Sequence, residues 1–112
     1  MSKTWQPHAR HILDAIARIR RIQARGDLTQ DDILYDAALR NLQTLSESTQ
    51  HLPDHLKAAW PGIPWRDIHG FRNILVHNYL GEIDAQTVAA VVERYLGALQ
   101  TSVTAMLDQD AG

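Results

Sequence analysis

Residues 12–26 read ILDAIARIRRIQARG. Ile12, Ile16 and Ile19 recur at the steps that stack side chains on one face of a helix. Gly26 supplies a stop, so the spacing predicts a first helix near 5–25. The remainder of the segment is rich in arginine. Arg10, Arg18, Arg20, Arg21 and Arg25 place five of the eleven cationic residues within sixteen positions, and no acidic residue falls between Asp14 and Asp27. Two readings of this face stand: a local phosphate-binding surface, and an ordinary solvated helix face.

The helical period continues in both directions of argument. Downstream, Thr29 is read as the cap of a second helix, with Asp32 at its third position and Leu28 stapled onto Ile33. Leu34, Ala38, Leu42 and Leu45 carry that helix to about residue 51. Pro53 opens a short helix, 53–60, which PGIP at 61–64 ends. Pro64 then serves as the first residue of a helix running to about Asn78, with Asp67 in its first turn. After Gly81, Asp84 caps a long final helix whose inner stripe is Val88, Val91, Tyr95, Leu99, Val103 and Met106, fraying from about Asp108. No stretch alternates at strand period. The expected fold is all-α: an up-and-down bundle of four long helices plus a short fifth, forming one domain over 1–112.

Composition narrows the chemistry. The chain has 112 residues, 45% hydrophobic and 21% charged, as expected of a globular domain with a single core. It contains no cysteine, which excludes disulfides, thiolate metal sites and cysteine nucleophiles. The N-terminus, MSKTWQPHARH, lacks the apolar run of a signal peptide, and no stretch is long enough to span a membrane. A cytoplasmic protein with no membrane partner is expected. Net charge is −2, so attraction to nucleic acid must come from a local face rather than the overall field.

Residues 71–81, FRNILVHNYLG, concentrate the reactive groups. A guanidinium such as that of Arg72 is always cationic and forks onto phosphate oxygens, whereas an unperturbed imidazole titrates near pH ~6.5, so a residue such as His77 is of the type that can take or give a proton. On an ideal helix Ile68, Phe71 and Leu75 face inward. Arg66, Gly70, Asn73 and His77 form a separate polar seam, in which the glycine admits a second backbone. Arg72 lies about 140° from His77, so one straight helix does not easily aim both at a single phosphate. Two copies across a twofold axis would build a composite site, and a homodimer is expected. There His77 would act as general acid or base, Arg72 would stabilise phosphoryl charge, and Asn73 would orient the imidazole or bind substrate. Each residue also has an ordinary role open to it, as ion-pair partner, interface amide or helix-end cover.

The string Trp65-Arg66-x-Ile68-x-Gly70-x-Arg72-Asn73-x-Leu75-x-His77-x-Tyr79 resembles the HEPN superfamily and, with Asn after the Arg and Tyr two past the His, its HepT-like branch of toxin ribonucleases. The resemblance spans essentially the whole chain. It implies metal-independent cleavage of RNA, with tRNA among the candidate substrates, and no cofactor. Arg72 and His77 take the catalytic positions, supported by Asn73. It further implies a minimal nucleotidyltransferase antitoxin as partner, able in part of the family to transfer AMP onto the motif tyrosine, here Tyr79. The alternative is a non-catalytic HEPN-like module that binds nucleotide or docks a nucleotidyltransferase. Ser46-Glu47-Ser48 stands where these proteins usually carry Gly-Glu-Ala, which leaves Glu47 as either a partner for Arg72 or a plain surface charge.

Two further patterns weigh less. His8 with His11, and His51 with His55, have helical metal spacing, but Pro53 interrupts the second pair and no third ligand is evident. Trp5, Trp60 and Trp65 are read as core or interface anchors rather than base-stacking platforms.

Overall fold

The computed structural model describes residues 5–69 and 85–111. Gly70, Phe71, Arg72, Asn73, Leu75, His77, Tyr79, Gly81 and Asp84 lie outside the described residues, and with them the motif and the expected cap of the last helix. The described chain is all-α. Helix α1 spans Gln6–Arg25, α2 Asp32–Thr49 and α3 Asp54–Ala58. Residues 65–69 are helical and are denoted α4, and α5 spans Ala85–Ala111.

Helix α1 forms where the isoleucine period demands it, with Pro7 in its first turn, where a missing N–H costs nothing. Its inner face, Ala9, Ile12, Ala15, Ile16 and Ile19, is almost wholly inaccessible to water. The helix ends at Gly26 as expected, although that residue is extended (φ 162°) rather than left-handed. Its missing side chain matters for space: an added Cβ would sit 3.0 Å from Leu34 Cδ1 of α2. Glycine thus lets the connection pass close to the second helix.

The start of α2 departs from the sequence reading. Its cap is Asp31, whose Oδ1 accepts from the backbone N–H of Ile33 at 2.9 Å and of Leu34 at 3.3 Å. Thr29 is engaged elsewhere: its N–H and its hydroxyl both donate to Asp27 Oδ1, at 2.9 and 2.8 Å. Those two bonds hold the Asp27 carboxyl below its ordinary pKa and tie off a turn one step before the helix. Asp32 is therefore the first helical residue, not the third. The Leu28–Ile33 staple does not form, because Leu28 is buried while Ile33 is 75% exposed.

Helices α2 and α5 pack on α1, and their buried side chains close one core. Helix α2 contributes Leu42 and Leu45, and Ile68 of α4 joins them at the edge. On α5 the innermost positions are Val88, Val92, Leu96, Leu99, Val103 and Met106. Val91 and Tyr95, expected on that stripe, are only half-buried. The helix faces α1 about one residue further round, since Val88–Val92–Leu96 continues the line to Leu99 as well as Val91–Tyr95 does. Helix α5 also continues to Ala111 instead of fraying from Asp108.

The segment leading into α4 is pinned by tryptophan. Trp5, Trp60 and Trp65 all pack against the core, as anchors do. The Trp65 indole N–H is shared between the carbonyls of Lys57 (3.0 Å) and Trp60 (3.2 Å), locking the start of α4 onto the end of α3. Pro64 lies just before the helix and offers its carbonyl to the Ile68 N–H at 3.0 Å.

Since a cap substitution of this kind costs about 1 kcal/mol, Asp31→Ala is expected to destabilise the fold by that order in thermal or urea unfolding. Thr29→Ala should cost less at α2, because it loosens only the preceding turn. A larger loss at Thr29 than at Asp31 would return the cap to Thr29.

Candidate functional site

Helix α4 leads from the Trp65 anchor directly into the motif segment. Ile68 faces the core and Arg66 faces solvent, as the predicted wheel requires of the two residues it can be checked on. Beside them, between α2, α4 and α5, opens a cavity of about 400 Å³. Its walls are mainly Leu42, Leu45, Val91 and Leu96, with Arg66 and Tyr95 among the polar groups. Val91 and Tyr95 are half-buried because they border this space rather than the α1 seam.

Arg72, Asn73, His77 and Tyr79 lie outside the described residues. Glu47 is described. It stands exposed on α2 and lines a cleft with histidines of α1 and of the α2 C-terminus.

That cleft brings together residues that look unrelated in sequence. His8 and His51 stack face to face, ring centroids 3.9 Å apart and planes within 12°. His11 lies 6.5 Å from His8, tilted by 43°. The sequence reading grouped His51 with His55 and found no third imidazole for His8 and His11. Folding instead makes His51 that third imidazole, because an antiparallel α1–α2 hairpin returns the end of α2 to the start of α1. The short 26–31 connection is the signal that could have suggested it. Stacked rings keep their nitrogen lone pairs side by side rather than aimed at one point. Among the described residues no group of three His, Asp or Glu has the arrangement of a metal site.

The imidazole cluster has an electrostatic consequence. The His8 pKa is lowered from its usual 6.5, first by desolvation and then by the neighbouring His51 and His11. Gln50, at the same end of α2, is held between Ser46, whose carbonyl accepts from Nε2 at 3.4 Å, and His69 of α4, whose Nδ1 lies 2.7 Å from Gln50 Oε1. The cleft is thereby tied to the helical residues 65–69.

Similarity to known proteins agrees with the motif. The family model described as Ribonuclease HepT-like matches residues 12–106. A Caldanaerobacter subterraneus subsp. tengcongensis protein, provisionally named an RNase, is 27% identical over 96% of this chain and 98% of its own length. A Thermococcus cleftensis protein named "Probable ribonuclease HepT" is 26% identical over 89% of this chain and 93% of its own. A Methanocaldococcus jannaschii protein named for a gamma-glutamylcyclotransferase and, provisionally, an RNase is 26% identical over 97% of this chain, which spans half of that protein's length. No solved structure matches the chain. No described helix is long and apolar enough to cross a membrane.

Because folding lowers the His8 pKa, the unfolded chain binds that proton more readily. The contribution is complete above pH 6.5 and is lost as pH falls below it. Thermal stability should therefore drop as pH falls through 6.5, and the drop should shrink in His8→Gln. An identical pH profile in that variant would remove His8 as the cause.

Proposed function

Since the chain belongs to the HepT-like ribonuclease family and is an endoribonuclease, we propose that Arg72 and His77 carry its chemistry, with Asn73 in support. The observation that carries this reading is the run Arg72-Asn73-x-x-x-His77-x-Tyr79, which falls within the matched residues 12–106. RNA brings its own nucleophile. His77 accepts the 2′-hydroxyl proton, the 2′-oxygen attacks the adjacent phosphorus, and the bond to the 5′-oxygen breaks. The leaving oxygen takes a proton from an imidazolium, supplied by the same histidine or its counterpart in a second copy. Arg72 stabilises the charge that builds on the phosphoryl oxygens. Every step is met by protein side chains and the substrate.

The polar seam through Arg66, Gly70, Asn73 and His77 supports a homodimer, in which the angular gap between Arg72 and His77 is closed by contributions from both copies. The biological role proposed is the toxin of a toxin–antitoxin pair, neutralised by a nucleotidyltransferase. AMP transfer to Tyr79 would bring negative charge and bulk beside the cationic phosphate site and block RNA entry.

His77→Ala and Arg72→Ala should each lose about 10²-fold or more in cleavage rate, the usual scale for removing an acid–base or oxyanion group. Cleavage by the unaltered protein should survive a chelator. Near-normal rates in either variant, with contaminating nuclease excluded, would sink the assignment. Incubation with the partner and ATP should add the mass of one or more AMP groups, and Tyr79→Phe should abolish the addition. Neutralisation with Tyr79 unmodified would show that the partner acts by masking.

A further inference from the structure

The side of the α1–α2 hairpin that carries the histidine cleft also carries a second one. Arg18, Arg21 and Arg25 of α1, with Asn41 of α2, line a cleft of about 340 Å³. The histidine cleft, about 420 Å³, lies at the opposite end of the same pair of helices. The two lie in line along the same side of the helix pair. On α1, His11, Arg18, Arg21 and Arg25 fall within an arc of about 100°. On α2, Asn41, Thr44, Ser48 and His51 follow one another at helical spacing on a single face. The helix register is the same at both ends, with His8 against His51 and Arg18 beside Asn41. From His8 to Arg25 that line runs roughly 25 Å at 1.5 Å per residue.

We propose that the two clefts form one α1–α2 groove, the track along which the enzyme holds a single strand of RNA, arginine end first, delivering it at the histidine end to α4. The proposal rests on the ribonuclease reading for the identity of the ligand. Three guanidiniums, spaced along the helix by about 4.5 and about 6 Å of rise, suit successive phosphates. None of them has an ion-pair partner among the described residues, where the salt bridge found is Lys57–Asp54. Beyond its bond to the Ala37 carbonyl Asn41 keeps a second amide N–H and its Oδ1, Thr44 keeps its hydroxyl oxygen as an acceptor, and imidazoles supply donors and stacking faces. The Gln50–His69 contact joins this end to α4. The carboxylates on these faces are Asp14, between His11 and Arg18, and Glu47 at the histidine end.

A polyanion fits better than a protein. Protein interfaces have an apolar centre, whereas the apolar lining of the two clefts is limited to Pro7 and the half-buried Ile22, and the one large hydrophobic residue that stands exposed among the described residues, Ile33, lines neither.

The test is binding of a fluorescent 2′-O-methyl oligoribonucleotide of roughly 12 nucleotides, which cannot be cleaved through a 2′-oxygen, followed by anisotropy over a salt series. Arg18→Ala/Arg25→Ala should weaken binding about 10-fold or more and lower the slope of log affinity against log salt by about 1.4, roughly 0.7 per lost phosphate contact on a single strand. Asp14→Asn should move affinity the other way, a gain that a folding defect cannot produce. Cleavage of a dinucleotide too short to span the groove should be unchanged in both variants. Affinity and slope equal to those of the unaltered protein would overturn the track, as would poly-glutamate competing as well as RNA of equal charge. A protein that binds the strand in the groove but cleaves no RNA would instead overturn the catalytic assignment and leave the track standing.

Discussion

Everything else in the molecule depends on the apolar seam between α1 and α2. Ile12, Ile16 and Ile19 pack into one core with Leu42 and Leu45, and full burial of each such side chain stabilises by about 1.5–3 kcal/mol. An exposed polar pair contributes about 0–1 kcal/mol. The isoleucines therefore fix the register of the hairpin, and the polar groups follow where that register puts them. Slipping the helices by one turn would pull the isoleucines from their sites to satisfy nothing stronger than surface contacts. The stacking of His8 on His51 and the meeting of Arg18 with Asn41 are consequences of a hydrophobic decision made a few ångströms beneath them.

A second constraint acts at α4. The start of a helix does not fix its own orientation on the core. Trp65 solves this by giving one indole N–H to two carbonyls of the α3 end while its ring lies on the core, and Ile68 adds a buried contact one turn on. Gln50 and His69 add a polar tie from α2. The segment bearing the reactive residues therefore departs from a fixed platform, which is what chemistry at a precisely aligned phosphate requires of its scaffold.

Much of this was legible in the sequence, and the misses have physical causes. The helix order, the Gly26 stop and the tryptophan anchors all follow from period and breakers. The α2 cap did not, because Asp27, Thr29 and Asp31 are all competent caps and only the local hydrogen bonds decide which engages the helix. On α5, Val88, Leu99, Val103 and Met106 follow from the period, whereas Val92 and Leu96 take the places expected of Val91 and Tyr95, because Val91–Val92 and Tyr95–Leu96 are adjacent apolar pairs. The histidine cluster joins residues some forty positions apart, a relation that periodicity along one helix cannot report. The proposed set, Arg72, Asn73, His77 and Tyr79, rests on residue type, spacing and family resemblance, and lies outside the described residues.

The proposal assigns substrate holding to the α1–α2 hairpin and bond-breaking to Arg72 and His77, with the RNA's own 2′-oxygen as the nucleophile. The chemical form of the cut ends tests this most directly. Mass spectrometry of RNA fragments made in the presence of a chelator should find a 2′,3′-cyclic phosphate on one end and a free 5′-hydroxyl on the other. Fragments bearing a 3′-hydroxyl and a 5′-phosphate would contradict the account, because they require attack by water rather than by the neighbouring ribose oxygen.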